Sequence, residues 1–93
     1  MTEVLAPFRR RIDELDDEIV RLLAARFAVV REVAEVKRSE NIPAVLPERV
    51  EEVKARAARN AGPLRLDPVF VRKLYGLIIE EACRIEDERI AAH

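Results

Sequence analysis

Ninety-three residues fit one domain, and a chain this short buries only a modest core of its own, so a partner chain is expected. Apolar residues at 49% and charged residues at 38%, with two glycines, suit long amphipathic helices and count against a sheet. A net charge of −1, from 17 basic and 18 acidic residues, provides no overall field for nucleic acid, so any anion site must be local.

The first predicted element is long. From about Val4 the apolar residues Leu5, Phe8, Ile12, Leu15, Ile19, Leu22, Val29, Val33 and Val36 recur at steps of three and four, and no Gly or Pro interrupts residues 8 to 42. This predicts one helix over about 4–40, roughly 50 Å long at about 1.5 Å per residue. A compact globule of this chain length is only about 32 Å across, so the helix must overhang. An intertwined homodimer, in which symmetry makes each overhang cover the other, is the expected architecture. "NIPAVL" (Asn41 to Leu46) breaks the pattern, because Pro43 cannot continue a helix and biases Ile42 toward extended geometry. Pro47 and Glu48 then suit the start of a second helix over about 47–60, which Gly62 is expected to end. Asp67 followed by Pro68 is a cap and first-turn pair that opens a third helix over about 68–91, with Val71, Tyr75, Ile78 and Ala82 on one face. The expectation is an all-α single domain spanning 1–93, with helices in the order long, short, long.

The remaining composition narrows the chemistry. Lone Cys83 has no internal disulfide partner, and one thiol with the terminal His93 makes no metal-ligand set. There is no basic segment leading into an apolar one and no apolar run long enough for a bilayer. The chain therefore reads as cytoplasmic, with no metal, membrane or nucleic-acid partner.

Charges on the apolar stripe carry the functional signal. Arg26 fills the slot between Leu22 and Val29, and Lys37 follows eleven residues later. Those eleven steps leave the two only about 20° apart around the helix and roughly 16 Å apart along it. Val30 and Val33 share that face. An unpaired buried cation costs several kcal/mol, and no acidic residue lies at the i±4 positions of the stripe, so something else must neutralise them. The plain alternative is that both side chains snorkel into solvent. Arg9, in the triplet Arg9, Arg10 and Arg11, lies about 25 Å from Arg26 on the same rod. It reaches an Arg26 site only from a second, antiparallel chain, and its plain alternative is a solvated face. On the third helix, Glu86 continues the face Val71, Tyr75, Ile78, Ala82, where a structural salt bridge is the plain alternative.

Taken together, "FRRRIDELDDEIVRLLAARFAVVREVAEVK", then "PERV", then "LDPVFVRKLYGLIIEEACRIED" resembles the all-helical class of chorismate mutases over nearly the whole chain. The resemblance implies an intertwined homodimer with two sites, each binding a dicarboxylate between cations from both chains, and a cofactor-independent isomerase. It implies that Arg9, from the partner chain, and Arg26 clamp the carboxylates. Lys37 would reach a carboxylate and the ether oxygen, and Arg49 would add positive charge. Leu46 would offer a backbone N–H toward the ring's C4 substituent, and Ala82 would line the site. No nucleophile or proton shuttle is needed for such a rearrangement, only shape and charge.

Two departures from the family pattern bear on the chemistry. Most members carry Gln where this chain has Glu86, and a carboxylate must be protonated to donate a hydrogen bond to the ether oxygen. Activity favouring mildly acidic pH and tolerance of Glu86→Gln are expected. Val50 stands where the usual mutases carry a Glu that binds the C4 hydroxyl. "PERV" is also similar to the isochorismate pyruvate-lyases, and "LP.RV" with "CR.ED" resembles the 4-amino-4-deoxychorismate mutases. The six-residue step from Pro43 to Arg49 fits the mutases better than the lyases. A helical dimerisation or regulatory module without activity is the competing reading.

Overall fold

The computed structural model describes residues 2–91; Met1, Ala92 and His93 lie outside them. Three helices account for nearly all of it: α1 (Ala6–Ser39), α2 (Pro47–Ala61) and α3 (Pro68–Ala91), with single 3₁₀ turns at Thr2–Val4 and Gly62–Leu64. Among the described residues there is no strand, and no helix is long and apolar enough to cross a membrane.

Each helix end has a local cause. At the C-terminus of α1 the left-handed Asn41 (φ 56°) turns the chain, and the Ile42 N–H donates back to the Lys37 carbonyl at 2.8 Å. This is a Schellman stop with Asn in the left-handed position, and Lys37 and Arg38 in the last turn complement the helix dipole. Pro43 was expected to make the break, but Asn41 has already made it. Leu46 is extended, as a residue before proline must be, and Pro47 opens α2 with its fixed φ. Gly62 caps the end of α2 as expected, in a right-handed conformation (φ −53°, ψ −53°). Pro63 has no N–H for the α-ladder, so the chain tightens into a 3₁₀ turn, and Arg65 (φ 61°) takes the left-handed conformation instead. Asp67 caps α3 as its sequence predicts, its Oδ1 accepting the Val69 N–H at 2.9 Å.

The central element is α3, which packs against both α1 and α2. Its buried positions are Val71, Ile79, Ala82 and Glu86, with Tyr75 and Ile78 half-buried. Ile79 displaces Ile78 from the expected face, because a helix flanked by two others buries a wider arc than one stripe. Ala34 on α1, Ala61 on α2 and Ala82 on α3 are the closest-packed apolar side chains, so small residues let the helices approach. The chain is 57 × 26 × 15 Å with a radius of gyration of 16.9 Å, against about 12 Å for a compact globule of this size. The excess is the N-terminal half of α1, where Phe8, Ile12, Leu15 and Ile19 are each more than half exposed.

Asp67→Ala removes the α3 cap and is expected to cost about 1 kcal/mol, read as a lower urea midpoint with an unchanged slope.

Candidate active site

A cavity of about 420 Å³ opens where the C-terminal half of α1, the 40–46 connection, the first turns of α2 and the last half of α3 converge. Every single-chain residue singled out in the sequence lines it: Arg26 and Lys37 from α1, Leu46 from the connection, Arg49 and Val50 from α2, and Ala82 and Glu86 from α3. Arg9 does not. It sits on the overhanging part of α1, in a surface hollow with Glu3, Ala6, Arg10 and Asp13.

Lys37 is nearly buried, its side chain only 13% exposed. Its Nζ donates to the Ala44 carbonyl at 2.7 Å and lies 2.7 Å from Oε1 of Glu86, whose side chain is 9% exposed. The Lys37–Glu86 contact is close but poorly angled, so it is an ion pair by proximity, and Oε1 lacks an aligned hydrogen-bond donor among the described residues. An ammonium has three N–H donors: Ala44 takes one, a second faces Glu86 without an aligned bond, and a third remains for a ligand. The acidic neighbour absent from the α1 stripe is thus supplied across the core by α3. Arg26 differs: its guanidinium carbon lies 5.9 Å from the centre of the Tyr75 ring. Arg49 is bound through Nη1 to Glu52 one turn on, at the open rim, and stays largely exposed.

Leu46 forms the N-cap of α2, and its N–H has no protein acceptor among the described residues while its carbonyl accepts the Val50 N–H at 3.1 Å. Val50 is half-buried and offers the cavity no polar atom. The remaining wall is apolar, from Val29, Val30, Val33, Val53 and Ile79. Three cations and one carboxylate give the cavity two net positive charges, which match a dianion.

Sequence reasoning named Val30 and Val33 with the right face but missed Ala44, Val53, Ile79 and Cys83. Val53 and Cys83 had a signal, at four residues from Arg49 and three from Glu86. Ala44 had none, since it acts through its carbonyl. Burial pushes the Cys83 thiol up, and the Glu86 carboxylate adds to this while Lys37 opposes it.

With this geometry in view, the likeness to known proteins is informative. The chain belongs to the chorismate mutase type II family, whose pattern it matches over residues 8–87. It is 38% identical over 91 residues to a 4-amino-4-deoxychorismate mutase of Streptomyces pristinaespiralis, covering 98% of this chain and 70% of that protein. A 4-amino-4-deoxychorismate mutase of Streptomyces venezuelae is 37% identical over 83 residues, covering 89% and 81%. A chorismate mutase of Methanocaldococcus jannaschii is 34% identical over 80 residues, covering 86% and 81%.

The raised thiol pKa leaves less thiolate at neutral pH, so Cys83 should react with iodoacetamide more slowly than free cysteine at pH 7 and accelerate as pH rises. Mass spectrometry measures this directly on the single thiol, and a rate at pH 7 above that of free cysteine would contradict it.

Proposed function

We propose that this protein is a cofactor-independent isomerase that carries out the [3,3] rearrangement of a chorismate-type dicarboxylate, with the 4-amino-4-deoxy compound as its preferred substrate. The observation that carries the reading is the cavity itself: two net positive charges on an apolar wall, with Lys37 and Glu86 side by side at one end. In this rearrangement the ether C–O bond breaks ahead of C–C bond formation and no proton is transferred. The protein therefore needs only to hold the reactive conformer and to stabilise negative charge developing on the ether oxygen. Arg26 clamps one carboxylate. The third N–H of Lys37 serves a carboxylate and the ether oxygen, and Glu86, when protonated, donates to that oxygen from α3. Arg49 swings from Glu52 to add positive charge, its exposed side chain making that movement inexpensive. Val30, Val33 and Ile79 exclude water from the ring, which strengthens each of these interactions.

One feature removes a selection for the hydroxyl substrate, and another favours the amino one. A C4 hydroxyl would seek an acceptor, and Val50 provides none, so this position no longer selects for it. Two relatives over most of the chain bear the name 4-amino-4-deoxychorismate mutase. Leu46 would offer its N–H to a C4 group with a free lone pair, as a hydroxyl or an uncharged amine has, and Ala82 leaves room for the ring beside Glu86.

The site is completed by a second copy. The apolar stripe from Phe8 to Leu22 is exposed, and an antiparallel helix of a second copy would cover it. In that intertwined homodimer Arg9 of the partner subunit enters the cavity and clamps the second carboxylate. The three helices work as one domain.

Separate incubation with 4-amino-4-deoxychorismate, chorismate and isochorismate, with products identified, tests the reading. Aminodeoxyprephenate should form fastest, whereas salicylate with pyruvate would mark a lyase, and no product at all would mark a non-catalytic module. Arg9→Ala and Arg26→Ala should each lower kcat/KM by about 100-fold or more. Refolding the two variants together should restore about a quarter of parental activity, because half the dimers are mixed and each has one intact site of two. Activity that stays at the level of the separate variants would place Arg9 outside the site. Glu86→Gln, which keeps a side-chain donor, should retain turnover, whereas Glu86→Leu, which lacks one, should lose it.

A further inference from the structure

The fold secures the two cations of α1 in different ways. Lys37 is held between a carboxylate and a carbonyl. Arg26 is half-buried at 5.9 Å from the Tyr75 ring centre, with no ion pair among the described residues. Tyr75 projects from α3, is half-buried, and lines a second cavity of about 200 Å³ with Val53, Ala57 and Val71. Arg26 lines the main cavity and Val53 lines both, so the two members of the arginine–tyrosine pair belong to neighbouring cavities.

We propose that Tyr75 is a positioning residue, whose ring face holds the Arg26 guanidinium ready for an incoming carboxylate without neutralising it. The inference rests on the clamp role given above to Arg26. An arginine side chain has many rotamers, and a ligand that captures it from solvent must order it. A carboxylate partner would order it in advance but would then compete with the substrate's own carboxylate. An aromatic ring orders the guanidinium through its quadrupole and leaves the whole positive charge and the edge N–H donors available. The ring is stiff, with two side-chain torsions, and it comes from the helix opposite Arg26, so the contact also fixes α1 against α3 at the mouth of the site. Once substrate is bound, its carboxylate holds the guanidinium in turn. The contribution of Tyr75 is therefore made on binding and not in the chemical step.

Tyr75→Leu keeps apolar volume and removes the ring. It should raise KM about fivefold with kcat within twofold of the parent, and Tyr75→Phe, which keeps the ring face, should restore KM. In an Arg26→Ala background the Tyr75→Leu change should have no further effect on kcat/KM, because its route of action is gone. An unchanged KM in Tyr75→Leu, or an equal loss in both backgrounds, overturns the proposal, the second outcome marking a merely structural residue. A readout free of activity separates this from the functional reading. The Arg26 Nε–H resonance in a nitrogen–proton correlation spectrum should carry a ring-current shift in the parent and in Tyr75→Phe, and lose it in Tyr75→Leu. An Arg26 resonance that is the same in all three proteins sinks the inference even if the enzyme is active. A shift that follows the ring in a protein that turns over none of the substrates upholds the contact while removing the reaction.

Discussion

The arrangement depends on one ammonium group. Lys37 stands in the last turn of α1, reaches the Ala44 carbonyl in the connection to α2 and lies against Glu86 near the end of α3, so all three parts of the cavity wall are referred to a single nitrogen. Both side chains of the ion pair are nearly buried, and in such surroundings a charge without its partner is costly. Burial of Glu86 on the apolar face of α3 is tolerated because Lys37 meets it. The Lys37 position on the apolar face of α1 is tolerated for the same reason. Neither residue makes sense on its own helix.

The pair also sets the charge of the site. Glu86 offsets one of the three cations that line the cavity, which leaves the lining positive without a fully uncompensated cluster. The cations are graded. Lys37 is locked in place, Arg26 is steadied by an aromatic ring, and Arg49 is at the rim with Glu52. In the proposed function, a dicarboxylate would replace weak or shared partners with stronger ones, and the energetic demand would fall on side chains that already line the cavity.

A second constraint is geometric. A 34-residue α1 cannot fold against a 24-residue α3 and a 15-residue α2 without overhanging, and the overhang carries apolar residues that one chain leaves in water. The apolar positions buried within the chain are few and include three alanines, which favours close helix approach but little hydrophobic stabilisation. In the proposed dimer the same overhang that completes the core delivers Arg9, so stability and site assembly become one requirement.

What the sequence by itself determined follows from local rules. Periodicity gave three helices and their order, proline and Asp67 gave the starts of α2 and α3, and the 100° step put Arg26 and Lys37 on one face of a single rod. These are properties of one helix at a time, and they hold whatever packs around it. The local signals were weaker at helix ends, where Asn41 and Arg65 take left-handed conformations that the proline and glycine signals nearby did not locate. Only the tertiary structure decided which charges meet. That Glu86 neutralises Lys37, that Tyr75 lies over Arg26, and that an Ala44 carbonyl completes the lysine's shell are contacts between segments 7 to 49 residues apart in the chain. No periodicity within a helix encodes them, because they depend on how α3 is rotated and set against α1.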